Sequence, residues 1–376
     1  MDLDFSIANI IIFLTSLISI GFAIFLVSKK SNLSNWLLFT ILMINGLLSL
    51  NLFIKASGYL SQNLGLLFIP LTFVLGLGPS IFFYSKSLMS KGFKLKTEYL
   101  LFYIPVLLQF IFYLILFIYP TDIKVDFAQN YYFKIIYPLE QAFGIVYTIL
   151  FLAMSLRKLA QYENWLNNHF SNKDFLTLNW LKQLLIIYFI IWLVWIIVSA
   201  LDFFIYEWTL DILFYYPVYM LISLLTIIVV ATALRKKHSV IFEEESINLN
   251  VQEQKKEVNI LDEDNLELVY KLRQLMETDK MYLEPNLKIN DLAEKLEIST
   301  HKLSHLLNSG LKKSFYDFIN YYRVEHVKTM FLDEANQNLT ILAMAFDSGF
   351  NSKSTFNEIF KKMTKMTPRD FIKSKK

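Results

Sequence analysis

The chain has 376 residues, no cysteine, 55% hydrophobic and 18% charged residues, and a formal net charge of +3. The missing cysteine excludes disulfides, thiolate nucleophiles and cysteine-held zinc, and the hydrophobic share exceeds that of ordinary soluble domains. The small net charge hides a split: residues 1–234 carry 13 Lys and Arg with 11 Asp and Glu, whereas 235–376 carry 23 and 22.

The N-terminus, Met1-Asp2-Leu3-Asp4, lacks the basic start of a secretory signal, so the first apolar run is expected to stay as a membrane helix. Apolar runs recur at Ile7–Val27, Trp36–Ile54, Leu64–Tyr84, Tyr99–Tyr119, Pro138–Leu156, Leu184–Phe204 and Ile212–Leu234. Each is near the roughly 20 residues that a helix needs to cross about 30 Å of hydrocarbon. These runs predict a seven-helix transmembrane bundle over 1–238.

Lys and Arg in the loops orient it. With the N-terminus outside, the inner loops hold Lys29, Lys30, Lys86, Lys91, Lys94, Lys96, Arg157, Lys158, Lys173, Lys182, Arg235, Lys236 and Lys237, against Lys55, Lys124 and Lys134 outside. This bias of 13 to 3 predicts a multi-pass membrane protein whose C-terminal part is cytoplasmic.

Aromatic residues crowd the expected outer ends: Tyr119, Tyr131, Tyr132, Tyr137, Trp208, Tyr215 and Tyr216. An interfacial belt and an outward-facing aromatic pocket both fit. Glu140 and Asp202 lie near outer span ends, with Glu207 and Asp211 in the short loop beside them. Either all four are solvated at headgroup level, or Glu140 and Asp202 mark an outer-side ligand site, since charge at depth is costly and usually functional. Pro70, Gly76, Gly78 and Pro79 in the third run fit a kink with two shapes or ordinary packing irregularity. No HExxH, intramembrane aspartate pair or Ser/His constellation occurs, so no catalytic site, metal site or cofactor is expected. A carrier needs no motif, so transport stays open.

Residues 243–284 hold 12 acidic and 5 basic residues. The polar stretch 239–261 reads as a flexible or partly helical acidic linker. From about Asp262 a helical pattern begins, with Leu268, Leu272, Leu275 and Met276 on one face and Pro285 beyond its end.

The last 92 residues, 285–376, carry 15 Lys and Arg and 10 Asp and Glu, a balance suited to phosphate contact. Two helix–turn–helix patterns lie within 262–376, at about 288–308 and 338–363, joined by a long helix from Ser314 to about Leu332. In the first, Leu292, Leu296, Ile298, Leu303 and Leu306 are core and Ala293 allows close helix approach. Ser299 is the N-cap. Thr300, His301, Lys302, Ser304, His305 and Asn308 are left pointing outward, as major-groove reading needs. The connecting helix has an apolar face of Phe315, Phe318, Ile319, Tyr322, Val327 and Phe331. In the second, Leu342 and Ala343 repeat the pattern, Gly349 supplies a left-handed turn and Asn351 is the expected N-cap. Phe356, Ile359 and Phe360 face the core. Ser352, Lys353, Ser354, Asn357, Glu358 and Lys361 face out, and all but Ser352 are candidate DNA contacts. Two such helices could occupy successive major-groove segments.

Through these motifs, 265–376 resembles the DNA-binding domain of the AraC-type (arabinose-regulator) family of bacterial transcription regulators. The carrying residues are Leu292-Ala293, Ser299, Leu303-Ser304, Ser314-Phe315, Tyr322-Arg323, Ala343, Gly349-Phe350-Asn351-Ser352, Ser354, Phe356-Asn357, Phe360-Lys361-Lys362 and Thr367-Pro368. The resemblance implies that His301, Ser304 and His305, and Lys353, Ser354, Asn357 and Glu358, touch bases. Glu297 and Lys365 stand where the family commonly has Gly or Asn and Gly, and Ile341 replaces a frequent acidic residue. The membrane half resembles, in layout only, regulators of this type fused to multi-helix membrane domains.

The expectation is an all-α, membrane-bound one-component transcription regulator of the bacterial inner membrane. Its partners would be double-stranded DNA, the lipid bilayer and an unknown signal ligand, with a homodimer plausible. The alternative is a membrane transporter or receptor with a regulatory cytoplasmic DNA- or protein-binding domain.

Overall fold

The computed structural model describes residues 4–28, 32–90, 92–174, 176–206, 212–235 and 263–375. Trp208, Glu207, Asp211 and the acidic linker 239–261 lie outside the described residues. The described residues are helical, with no strand beyond one isolated bridge between Phe170 and Lys288. The chain divides into two compact units, Met1–Leu159 with Leu178–Ile241, and Ala160–Thr177 with Phe242–Lys376.

The first unit contains α1 (Ile7–Ser28), α2 (Leu33–Ala56), α3 (Leu77–Met89), α4 (Ile104–Ile118), α5 (Tyr137–His169, shared with the second unit), α6 (Asn179–Phe204) and α7 (Tyr216–Arg235). Five described helical stretches are long and apolar enough to cross a membrane: Ile7–Ser28, Leu33–Ala56, Thr97–Ile118, Thr121–His169 and Asn179–Phe204. Tyr216–Thr232 is a shorter apolar helix. Their side-chain distribution is inverted relative to a soluble helix. In α1, Leu14, Leu17 and Ile18 are exposed while Asn9, Thr15, Ser16 and Ser19 are buried. Ser19 Oγ donates to the Leu42 carbonyl at 2.7 Å and Thr15 Oγ1 to Ser223 at 3.1 Å. Helices in hydrocarbon pack this way, with small polar residues at the helix contacts and apolar ones outside; Ser16 Oγ alone of the four buried polar residues has no hydrogen-bond partner among the described residues.

The third apolar run departs from expectation. It is broken rather than a kinked span: 3₁₀ turns at Leu64–Leu66 and Val74–Gly76 precede α3, whose 13 residues are all buried. Pro70 denies helical geometry to Ile69, and Phe68 takes a left-handed φ of 65°. Thirteen residues rise about 20 Å, so α3 alone is short of a span. The run would cross only together with its irregular first half: the Gly65 carbonyl accepts from Lys124 Nζ at 2.7 Å at one end, and the Phe83 ring packs on Tyr99 at the other. Gly78 serves packing here: a Cβ on it would lie 3.2 Å from the Thr148 backbone and the Phe151 side chain, so α3 and α5 touch nearly backbone to backbone.

The second unit contains α8 (Glu263–Glu277), α9 (Ile289–Lys295), α10 (Thr300–His305), α11 (Phe315–Leu332), α12 (Ile341–Asp347), α13 (Lys353–Thr364) and α14 (Pro368–Lys375). It has two cores on one rod. Leu272 and Met276 of α8 pack with Leu292, Ala293, Leu303, Phe315, Phe318 and Ile319. Val324 and Val327, farther along α11, pack with Ala345, Phe350, Phe356, Ile359, Phe360 and Phe371. The apolar face expected on α11 therefore divides, its first half sealing one helix–turn–helix unit and its second half the other. The unit also takes in Ala160–Thr177, the C-terminal end of α5 and the loop that follows it before α6, which sequence alone assigned to the membrane half.

Candidate nucleic-acid interface

Each candidate reading helix starts where a serine caps it. Ser299, in extended backbone, accepts from the Lys302 N–H at 3.1 Å and opens α10. At the second unit the cap is Ser352, which accepts from the Thr355 N–H at 3.2 Å, not Asn351 as expected. Ser352 is the residue with extended backbone immediately before α13. Asn351 instead donates its amide to Asn286 Oδ1 at 2.9 Å and to the Pro285 carbonyl at 3.3 Å.

The two reading helices present different faces. On α13, Lys353, Ser354, Asn357, Glu358 and Lys361 are all exposed, as expected. Among the first unit's candidates Lys302 is exposed, and Thr300, His301, Ser304, His305 and Asn308 are half-buried. The His301 and His305 rings stack at 6.3 Å, His305 Nε2 is buried without a hydrogen-bond partner, and Asn308 donates to Ser304 Oγ at 3.2 Å. Asn308 lies in a π turn, Leu306–Gly310, that widens the end of the helix.

Arg323 of α11 holds the centre. It is 1% exposed, and no carboxylate among the described residues bonds to it. Nε donates to the Tyr282 carbonyl at 2.8 Å, and Nη2 to the Glu284 carbonyl at 2.7 Å and to Ser171 Oγ at 3.1 Å. Nη1 donates to the Ser171 carbonyl at 3.2 Å and Asn320 Oδ1 at 3.3 Å. Burial pushes its pKa down to about 10, with Tyr316 and Glu284 opposing, so it stays charged at neutral pH. Gly349 packs on this group. Its φ is +90°, and a Cβ there would lie 2.5 Å from the Tyr282 carbonyl oxygen and 2.9 Å from Arg323 Nε. The glycine expected from turn chemistry is thus also required by close approach.

Ala160–Thr177 is built into this centre. Ser171 N–H and Oγ both donate to the Leu287 carbonyl, at 3.1 and 2.7 Å. Tyr162 Oη closes the segment on the Leu176 carbonyl at 2.9 Å. Lys173 Nζ lies 4.1 Å from the centre of the Tyr316 ring. Burial lowers its pKa, opposed by Asp317 and Glu358. Asp174 Oδ1 accepts a hydrogen bond from Thr355 Oγ1 on α13. Sequence reading treated Lys173 only as a topogenic charge and missed Ser171 and Asp174, for which no local pattern exists.

In the first unit, the two acidic residues expected to form one outer ligand site have separate surroundings. Glu140 accepts from Gln109 Nε2, from Tyr113 Oη at 2.9 Å and from Tyr132 Oη at 3.2 Å, and it lines a cavity of about 130 Å³. Asp202 is buried, accepts from Tyr215 Oη, and is absent from that lining. The described residues contain no cluster of three or more His, Asp and Glu able to hold a metal.

Residues 292–374 match the family model described as "Helix-turn-helix domain". A stretch of 101 residues, 27% of this chain, is 30% identical to uncharacterized HTH-type transcriptional regulators of Staphylococcus aureus strains COL, MSSA476 and N315. The match spans 13% of each relative's own length. No solved structure matches the chain.

Proposed function

We propose that this chain, whose C-terminal part is an AraC-type helix–turn–helix domain, is a membrane-anchored one-component transcription regulator. It reads DNA through α10 and α13, under control of its apolar helices. The carrying observation is the pair of serine-capped helices on one rod, the second presenting Lys353, Ser354, Asn357, Glu358 and Lys361 to solvent. Lys302, Lys353 and Lys361 would meet phosphates, and Ser354 and Asn357 base edges. Glu358 suits a cytosine amino group. The half-buried Thr300, His301, Ser304, His305 and Asn308 would contribute after local adjustment of the shorter helix.

Ala160–Thr177 supports both the topology and the control. The end of one long apolar helix and the loop before the next, packed into the DNA-binding unit, must lie on the same side of the membrane as that unit, and the 13-to-3 charge bias makes that side the cytoplasm. A shift of α5 against α6 would pull on Ser171 and Asp174, and so on Arg323 and Thr355. A ligand drives such a shift only through its different affinity for the two arrangements.

The test uses the full chain in lipid nanodiscs. Selection from a random duplex pool at physiological salt should return a bipartite consensus. Lys353→Ala should weaken binding to all sequences and reduce the salt slope by about 1, whereas Asn357→Ala should relax one base position at a cost of about 1–3 kcal/mol. Failure of any duplex to bind tighter than random DNA sinks the reading. Because the chain has no cysteine, single cysteines at Asp122 and Gln337 report topology directly. An impermeant thiol reagent applied to intact cells should label the first and not the second.

A further inference from the structure

The cavity beside Glu140 has the polar groups of a ligand site, and they differ in how far they are satisfied. Glu140 is caged by three donors, Gln109 Nε2, Tyr113 Oη and Tyr132 Oη. By holding the Gln109 amide nitrogen it fixes which way that amide faces. The amide oxygen, Gln109 Oε1, is then buried with no hydrogen-bond partner, on a side chain only 9% exposed that lines the cavity. A buried acceptor left unpaired costs about 1–3 kcal/mol, and a donor supplied from the cavity would recover that. Lys55, in the last turn of α2, lines the same cavity. It is near enough to Glu140 for their charges to interact, but it is in no direct ion pair among the described residues. The remaining wall is apolar and aromatic, with Tyr188, Trp192 and Trp195 among its members.

The geometry points to a small zwitterion of the α-amino-acid type as the ligand of this cavity. Its ammonium would donate to Gln109 Oε1 and face the Glu140 carboxylate, its carboxylate would pair with the Lys55 ammonium, and a short apolar side chain would lie on the aromatic wall. A lone anion would meet Glu140 unscreened, and a lone cation would meet Lys55. Only a molecule with both charges answers both. A cavity of about 130 Å³ is of the order that takes a benzene-sized guest, which limits the side chain to roughly that of valine or leucine. The proposal deepens the reading of the apolar helices as the sensing part of the molecule. It is measured without DNA, so a failure of DNA binding leaves it standing, and the reverse also holds.

The experiment is calorimetry and thermal unfolding of the full chain in nanodiscs with three shape-matched probes. Valine carries both charges, isovalerate only the carboxylate and isobutylamine only the ammonium. Alanine and leucine, each with the same two single-charge counterparts, are run beside them. At least one amino acid should bind ten-fold or more tighter than both of its counterparts. Lys55→Met should abolish that preference, Lys55→Arg should keep it, and Gln109→Leu should weaken amino-acid binding about ten-fold while barely affecting the carboxylate-only probe. Retention of the unliganded melting profile in Lys55→Met and Gln109→Leu guards against misfolding as the cause. No binding by any amino acid, equal binding by a single-charge counterpart, or full retention in Lys55→Met would each overturn the assignment.

Discussion

The two helix–turn–helix units have the same plan in sequence and different execution in the fold. The first has a mixed core, mostly aliphatic on the reading side with Leu292, Leu303 and Leu307, joined by Phe315 and Phe318 of α11 and closed by α8. Its six-residue reading helix runs into a π turn, and its outward side chains are half-buried. The second has an aromatic core, in which the Phe350, Phe356, Phe360 and Phe371 rings follow one another at 5.2–5.6 Å. Its reading helix has 12 residues with an exposed polar face. Arg323 and Gly349 fix the turn before it, and Asp174 holds its flank. The contrast teaches that two unlike units share one fastening: Ala160–Thr177 is bonded to the first through Leu287 and Lys288 and to the second through Thr355, so a signal arriving there would reach both.

The largest test of that contrast is Arg323→Ala. It orphans the Tyr282, Glu284 and Ser171 acceptors at once and should cost about 3–5 kcal/mol. Hydrogen exchange of α11 amides in the full chain should show both units opening together. Protection lost from one unit alone would mean that Arg323 does not join them. Gly349→Ala comes next, at about 2–3 kcal/mol, from the left-handed backbone penalty plus overpacking. Here exchange should rise in α12 and α13 while α9 and α10 stay protected. Asp174→Ala should act on DNA more than on stability. Freeing Thr355 and removing an acid beside α13 should tighten specific binding by the full chain several-fold, about 1 kcal/mol. A titration showing weaker binding would reverse the role given to this contact.

Two smaller effects sharpen the picture. Glu297 and Lys365 hold φ values of 56° and 61°, the left-handed region where only glycine escapes a penalty of about 1–2 kcal/mol. After glycine's own entropic cost, Glu297→Gly should protect the first unit and Lys365→Gly the second, each by about 0.5–1 kcal/mol. The smallest effect is from pH. Burial and Lys280 lower the pKa of His326, with Asp347 opposing, and its ring hydrogen-bonds Ser348 Oγ at 2.9 Å. The unfolded chain therefore binds this proton more readily than the folded one, so His326 favours folding above about pH 6.5. That contribution fades as pH falls from there toward the lowered folded value. Replacing His326 by Gln should flatten the pH dependence of exchange around α11 and α12.

Much of this was legible before any fold was drawn, because it rests on local periodicity. Apolar runs of about 20 residues, the charge split at 234/235, the cap at Ser299, the turn at Gly349 and the outward face of α13 all follow from neighbours within a turn or two. The Asn351 cap failed for a related reason. Asn351 and Ser352 are both good caps, and the choice fell to Asn286, 65 residues away, which accepts the Asn351 amide. Sequence by itself thus determined an all-helical chain with an apolar half and a paired DNA-reading half. Only the tertiary structure decided that the third apolar run breaks, that Ser171 reaches Arg323 across 152 residues, and that Lys55, Gln109 and Glu140 share one cavity while Asp202 stands apart. Partners so distant in the chain leave no period to read, since what brings them together is the need to satisfy buried polar groups wherever the packed helices leave them.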